Sequence, residues 1–179
     1  MIEILPAVKY VVDQAKSVQI DMPALQKVAD KFEVQQSKHW LHEAPFDFSV
    51  LSPEETANFI FLFYSLIFCF WGEPKWTVEY HGKNHDGSYG LLVALARAKE
   101  AHKAILDWKF WQEISESEFA QIMKGNVEIP LFQDRLQIVR DIGHEIMQNL
   151  NGSVVNLITK ANGDANHLLS LIDAHFASF

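Results

Sequence analysis

The sequence predicts a mainly α-helical globular domain packed around a buried central helix, with one small β-hairpin. Three observations carry this. Apolar residues recur at i, i+3, i+4 spacing in several separate segments. The stretch Asn58–Trp71, NFIFLFYSLIFCFW, is apolar or aromatic at every position except Asn58 and Ser65. As a helix it has no polar face and must be wrapped on nearly all sides. One short stretch, Trp76–Tyr80, alternates as a strand and runs into turn chemistry at His81-Gly82-Lys83-Asn84.

Composition bounds the class. A chain of 179 residues is long enough for one domain, residues 1–179, with a real core. With 49% hydrophobic and 21% charged residues it reads as soluble and globular. The net charge of −8 argues against a nucleic-acid backbone as the main partner, because that binding rests on Lys and Arg neutralising phosphates. The single cysteine, Cys69, rules out a disulfide framework or a cysteine metal cluster. The opening MIEILPAVKY has an acid and a proline where a signal peptide has a basic head and an apolar core, so the cytoplasm is the expected compartment. The apolar run is shorter than the ~20 residues of a membrane span.

In chain order, Val8, Val11, Val12 and Ala15 predict a helix over 6–17, and Asp21 caps a second helix carrying Leu25, Val28, Ala29 and Phe32 on one face. Residues 35–51 lose the period and read as an ordered loop bearing His39, Trp40 and His42, with a helical turn near 38–43. Ser52, Pro53 and Glu55 form a cap, first position and capping box for the central helix, read over 53–71 and roughly 28 Å long. Its last turn sets Phe68, Phe70 and Trp71 beside the break at Gly72. After the hairpin, Gly87 opens a helix over 88–102 with Leu91, Leu92, Ala94, Leu95 and Ala98 as its buried stripe. Residues 103–113 read as irregular, with Trp108, Phe110 and Trp111. Ile114-Ser115-Glu116-Ser117-Glu118-Phe119 is a capping box with a hydrophobic staple. Pro130 introduces a long helix over 131–150, stopped by Asn151-Gly152, and two more follow over 153–160 and 164–176.

No Gly-rich phosphate loop, G-x-S-x-G or H-E-x-x-H is present, and no pair among the eight histidines has metal-ligand spacing. Glu54, Glu55, Glu116 and Glu118 fall in first helical turns, where complementing the helix dipole explains them better than acid–base work. Asp134-Arg135, also in a first turn, reads as a cap plus a surface ion pair.

The run Asn58–Trp71 followed by WTVEYHGKNHDGSYGLLVALARAKE, with Ile129-Pro130-Leu131, Asp134-Arg135 and the final FASF, resembles the queuosine 5′-phosphate N-glycosylase/hydrolase family of queuosine salvage proteins. The order and spacing of these motifs carry the resemblance, which spans nearly the whole chain but only the N-terminal half of the family's usual length. It implies a helical fold likened to helical DNA glycosylases. It also implies hydrolysis of queuosine 5′-monophosphate to queuine and ribose 5-phosphate, tied to tRNA modification, with no cofactor and no metal. The 7-deazaguanine base has carbon in place of N7, so protonation there is unavailable. A carboxylate under the sugar would instead stabilise or attack an oxocarbenium-like transition state.

Two departures stand out. Tyr64 and Ile67 occupy positions where the family usually has an acid and an asparagine. The family's catalytic aspartate falls downstream of Phe179, so no catalytic residue is assigned here. For substrate contact, the resemblance points to His42 as a donor to base or sugar, and to Phe70, Trp71 and Tyr89 as rings against the base. The plainer readings are a histidine holding its loop and rings filling a core. The expected partner is the small nucleotide, with docking to the absent C-terminal half or to a second copy. The competing expectation is a non-catalytic helical ligand-binding or interaction module.

Overall fold

The structure, a computed structural model, describes residues 4–32 and 39–176. It divides into two compact units, residues 1–39 and 40–179. It is mainly helical, and the described residues contain one two-stranded antiparallel sheet. Among them, no helix is long and apolar enough to cross a membrane.

The first unit holds α1 (Ile4–Gln14) and α2 (Met22–Lys31). Asp21 caps α2 as predicted, its carboxylate accepting the Ala24 N–H at 2.9 Å. Val8, Val11 and Val12 on α1, and Leu25 and Val28 on α2, are exposed.

The predicted loop over 35–51 is described from His39 onward, and the second unit begins within it at Trp40, with short 3-10 turns at Trp40–His42 and Phe48–Val50. Helix α3 (Pro53–Ser65) starts as the sequence predicts. The Ser52 hydroxyl accepts the Glu55 N–H, and the Glu55 carboxylate accepts the Ser52 N–H at 2.9 Å. Its end is a correction, because the helix stops at Ser65 rather than Trp71. The Ser65 hydroxyl donates back to the Phe61 carbonyl at 2.7 Å, a local bond that competes with the helical ladder. Beyond it the carbonyls of Leu66, Phe68 and Cys69 all turn to one guanidinium, that of Arg135. The last six residues of the apolar run are therefore irregular chain, and Cys69 adopts φ 41°.

The strand–turn–strand that follows is as expected. β1 (Thr77–Tyr80) pairs antiparallel with β2 (Lys83–Asp86), from Thr77 opposite Asp86 to Tyr80 opposite Lys83. His81 and Gly82 both have positive φ, as a two-residue hairpin turn matching strand twist requires. The base of the hairpin is tied down by Asn126, which accepts the Thr77 N–H at 2.7 Å and donates to the Lys75 carbonyl at 3.0 Å.

Helix α4 (Gly87–Glu100) is the element wrapped on all sides. Every residue from Leu91 to Ala96 is at most 1% exposed. The hairpin, α3 and the later helix Glu116–Ile122 pack around it. The apolar run of α3 suggested that role for itself, but Tyr64 on α3 is half exposed. In α4 the small residues allow close wrapping. A Cβ on Gly90 would stand 3.0 Å from the His85 carbonyl oxygen and 3.1 Å from the Trp76 ring.

The segment read as irregular contains α5 (Trp108–Glu113), capped by Asp107, whose carboxylate accepts the Lys109 N–H at 2.9 Å. Both tryptophans are buried with partners for their indole N–H. Trp108 donates to Asn58 Oδ1 at 3.0 Å, and Trp111 donates to the Ile105 carbonyl at 2.7 Å. Helix α6 (Glu116–Ile122) is capped by Ser115, and Glu118 bonds the Ser115 hydroxyl instead of its N–H. Helix α7 (Phe132–Asn149) runs against α5 and ends at the left-handed pair Asn151-Gly152. Helices α8 (Val155–Ala161) and α9 (Ala165–His175) close the described chain, with the Phe176 ring 5.2 Å from that of Phe61.

Candidate functional site

Arg135 corrects the surface-pair reading. It is fully buried. Its guanidinium donates to the Pro130 carbonyl at 2.8 Å, to the Cys69 carbonyl at 2.9 Å, and to the carbonyls of Leu66 and Phe68. Phe68 and Phe70 lie 4.2 and 4.9 Å from its central carbon. Burial pushes its pKa down to about 10, which leaves it charged at neutral pH. Arg135 thus works as a clamp. It collects the carbonyls released where α3 ends and so fixes the segment carrying Ile67.

Ile67 matters because it lines a cavity of about 200 Å³ with Trp40, Phe63, Tyr64, Ser88, Tyr89 and Leu92. Three elements make this cavity. The 3-10 turn brings Trp40, the C-terminal half of α3 brings Phe63 and Tyr64, and the first turns of α4 bring Ser88, Tyr89 and Leu92. The rings brace one another. Trp40 stands 6.0 Å from Phe63 and 6.5 Å edge-on to Tyr64, while Phe63 and Tyr64 meet at 5.4 Å. Trp40 also meets Phe48 edge-on at 6.2 Å. The rings thus form a mutually braced aromatic wall. The lining residues with a polar group in the side chain are Trp40, Tyr64, Ser88 and Tyr89. None of the seven lining residues is an acid. Among the described residues, no group of three or more His, Cys, Asp or Glu is arranged to hold a metal ion.

The four residues chosen from the sequence separate. Tyr89 lines the cavity and is half exposed. His42 sits on the same turn as Trp40 but is exposed and outside the lining. Phe70 stacks on Trp76 with centroids 6.2 Å apart and flanks Arg135, which makes it part of the clamp. Trp71 is 87% exposed and does not line the cavity. Trp40, Phe63, Ser88 and Leu92 were not singled out as site residues. Two signals pointed toward the place: the aromatic loop around Trp40, and the unusual pair Tyr64 and Ile67, which both face the cavity.

Two further surfaces adjoin α3. A polar cleft lies near its N-terminus, lined by Glu54, Glu55, Asn58, Lys99 and Lys103 among others, with Lys99 3.6 Å from Glu55. On the far side of Tyr64 runs a groove of about 300 Å³ between α3, α8 and α9.

Comparison with known proteins gives this geometry a context. Residues 48–179 match the family described as queuosine salvage protein. The chain is 33% identical over 178 residues to the queuosine 5′-phosphate N-glycosylase/hydrolase of Sphaerobacter thermophilus, covering 98% of this chain and 54% of that protein. It is 24% identical over 187 residues to the protein of the same name from Bos taurus, and 26% identical to that of Mus musculus, covering 96% of this chain and 53% of each. The chain spans about half the length of the curated relatives it matches.

Proposed function

Because the chain belongs to the queuosine salvage protein family, we propose that it supplies the base-binding part of an N-glycosidic hydrolase that releases queuine from queuosine 5′-monophosphate. In this reading residues 1–179 are one helical domain, the N-terminal part of a longer fold. The substrate is a small nucleotide of the cytoplasm and not a nucleic acid, in keeping with the net charge of −8.

The observation that carries the proposal is the aromatic slot of Trp40, Phe63, Tyr64 and Tyr89. A 7-deazaguanine offers two flat faces, and stacking a base on an aromatic side chain is worth about 1–3 kcal/mol. The cavity of about 200 Å³ is below the ~300 Å³ at which pockets enclose a whole small ligand, so it suits the base and leaves ribose and phosphate outside. Tyr89 and Ser88 are lining residues, and in this reading their hydroxyls orient the base edge.

Cleavage then needs a carboxylate against the sugar. With no N7 to protonate, departure of the base depends on stabilising positive charge at the anomeric carbon. No acid lines the slot, and the resemblance puts the catalytic aspartate downstream of Phe179. The division of labour is therefore base binding here and charge stabilisation from the remaining polypeptide.

The test is incubation with queuosine 5′-monophosphate of this chain alone and of this chain completed to the family length, with queuine read by chromatography. Release by the completed protein and not by residues 1–179 is expected. No release by the completed protein rejects the proposal.

A further inference from the structure

The slot shares Tyr64 with the groove between α3, α8 and α9, so that one ring forms the ridge between them. Apart from Tyr64, every residue that lines the groove is aliphatic or phenylalanine. Ile60 and Phe61 come from α3, Leu157 and Ile158 from α8, and Leu168 and Ile172 from α9. Ile158 stands 45% exposed at its rim, and Tyr64 is 50% exposed. A wall with no charged side chain, and with Tyr64 as its one polar residue, does not suit a nucleotide or a metal. It fits the apolar face of a polypeptide helix.

We infer that this groove seats an apolar segment of the polypeptide that makes up the rest of the family length, and that seating it against Tyr64 brings that polypeptide to the rim of the base slot. This rests on the function proposed above. Three observations select the occupant. The relatives extend over about twice the span that this chain matches, so a polypeptide of that size has to pack somewhere. One wall of the groove, α9, is the last described helix, and Phe176 just after it packs on Phe61 of the groove. Finally, the slot is a partial site with no acid, and a segment docked on the other side of Tyr64 is placed to supply one.

The test compares residues 1–179 with a joined chain in which the unmatched part of the Sphaerobacter thermophilus relative follows Phe179. In a Cys69→Ser background, Ile158→Cys is labelled with a maleimide. Val50→Cys, 68% exposed and away from the groove, is the control. Labelling at 158 is expected to slow at least tenfold in the joined chain, with no change at 50. Equal rates at 158 in both chains overturn the inference. So does slow labelling in residues 1–179 alone that speeds up on dilution, which would give the groove to a second copy. If the joined chain does not melt cooperatively, the two parts are co-expressed. Ile158→Glu must then lower the recovered complex at least tenfold, and equal recovery overturns the inference. Queuine release separates the two proposals. Protection at 158 without release leaves the docking and removes the function, whereas release with 158 still reactive does the reverse.

Discussion

Replacing Arg135 with Met tests the clamp directly. The new side chain reaches only about as far as Arg135 Nε, stays apolar and carries no donor. Four carbonyls are affected, and they are not equivalent. Leu66 is 0% exposed, so its carbonyl is stranded and costs about 1–3 kcal/mol. Phe68 and Pro130 are half-buried and recover part of their loss from water, while Cys69 is exposed and recovers most of it. Against this, removing the guanidinium relieves the desolvation of a buried charge. The balance is a loss of about 3 kcal/mol, a large share of the 5–15 kcal/mol that holds a domain folded. With a urea slope of about 2 kcal/mol/M, the unfolding midpoint followed by circular dichroism falls by about 1.5 M. Arg135→Lys keeps the charge but cannot reach all four oxygens, and falls by about half as much. A midpoint for Arg135→Met within about 0.3 M of the parent would refute the clamp as the reason α3 ends at Ser65.

Other outcomes follow from the same geometry. Tyr89→Ala removes one wall of the slot, so queuine binding by calorimetry weakens about 5- to 150-fold while stability stays within about 0.5 kcal/mol; unchanged binding would move the base elsewhere. Gly143→Ala puts a Cβ 2.6 Å from the Gln112 backbone nitrogen and 2.8 Å from the Trp108 carbonyl oxygen. It lowers stability by about 1–3 kcal/mol despite the better helix propensity of alanine, read as a drop in melting temperature. Burial acts to raise the Glu145 carboxyl, but hydrogen bonds from His175 at 2.8 Å and from Asn149 outweigh it, so its folded pKa lies below the ordinary 4.5. A depressed carboxylate stabilises the fold above pH 4.5, and that contribution is lost as pH falls through the lower folded value. Glu145→Gln therefore shows a smaller loss of melting temperature than the parent between pH 5 and pH 3, roughly the window where such groups titrate.

Much of the fold was legible because its signals are local. A cap, a box or a left-handed stop is settled by residues three or four apart, which is why Ser52, Asp21 and Asn151-Gly152 behave as read and Ser115 caps its helix, although its box does not close. The hairpin turn at His81-Gly82 is of the same kind. The misses come from distance. Nothing within 53–71 says that a cation at 135 will take the carbonyls of Leu66, Phe68 and Cys69, so the local pattern reads as helix to its end. Arg135 in turn looked like a surface charge, because its four acceptors are backbone atoms that composition does not display. The slot was half visible for the same reason. Tyr89 and the unusual Tyr64 and Ile67 could be noticed one at a time, but only the crossing of α3, α4 and the Trp40 turn makes them neighbours.

The clamp also has a timetable. A growing chain exposes the segment after Ser65 long before residue 135 has been synthesised, and until then nothing collects its carbonyls. On the ribosome, oily residues 66–71 are free to prolong the coil of α3 or to stick to a chaperone. The wall of the slot that Ile67 provides is finished only when α7 has emerged and reached back across the molecule.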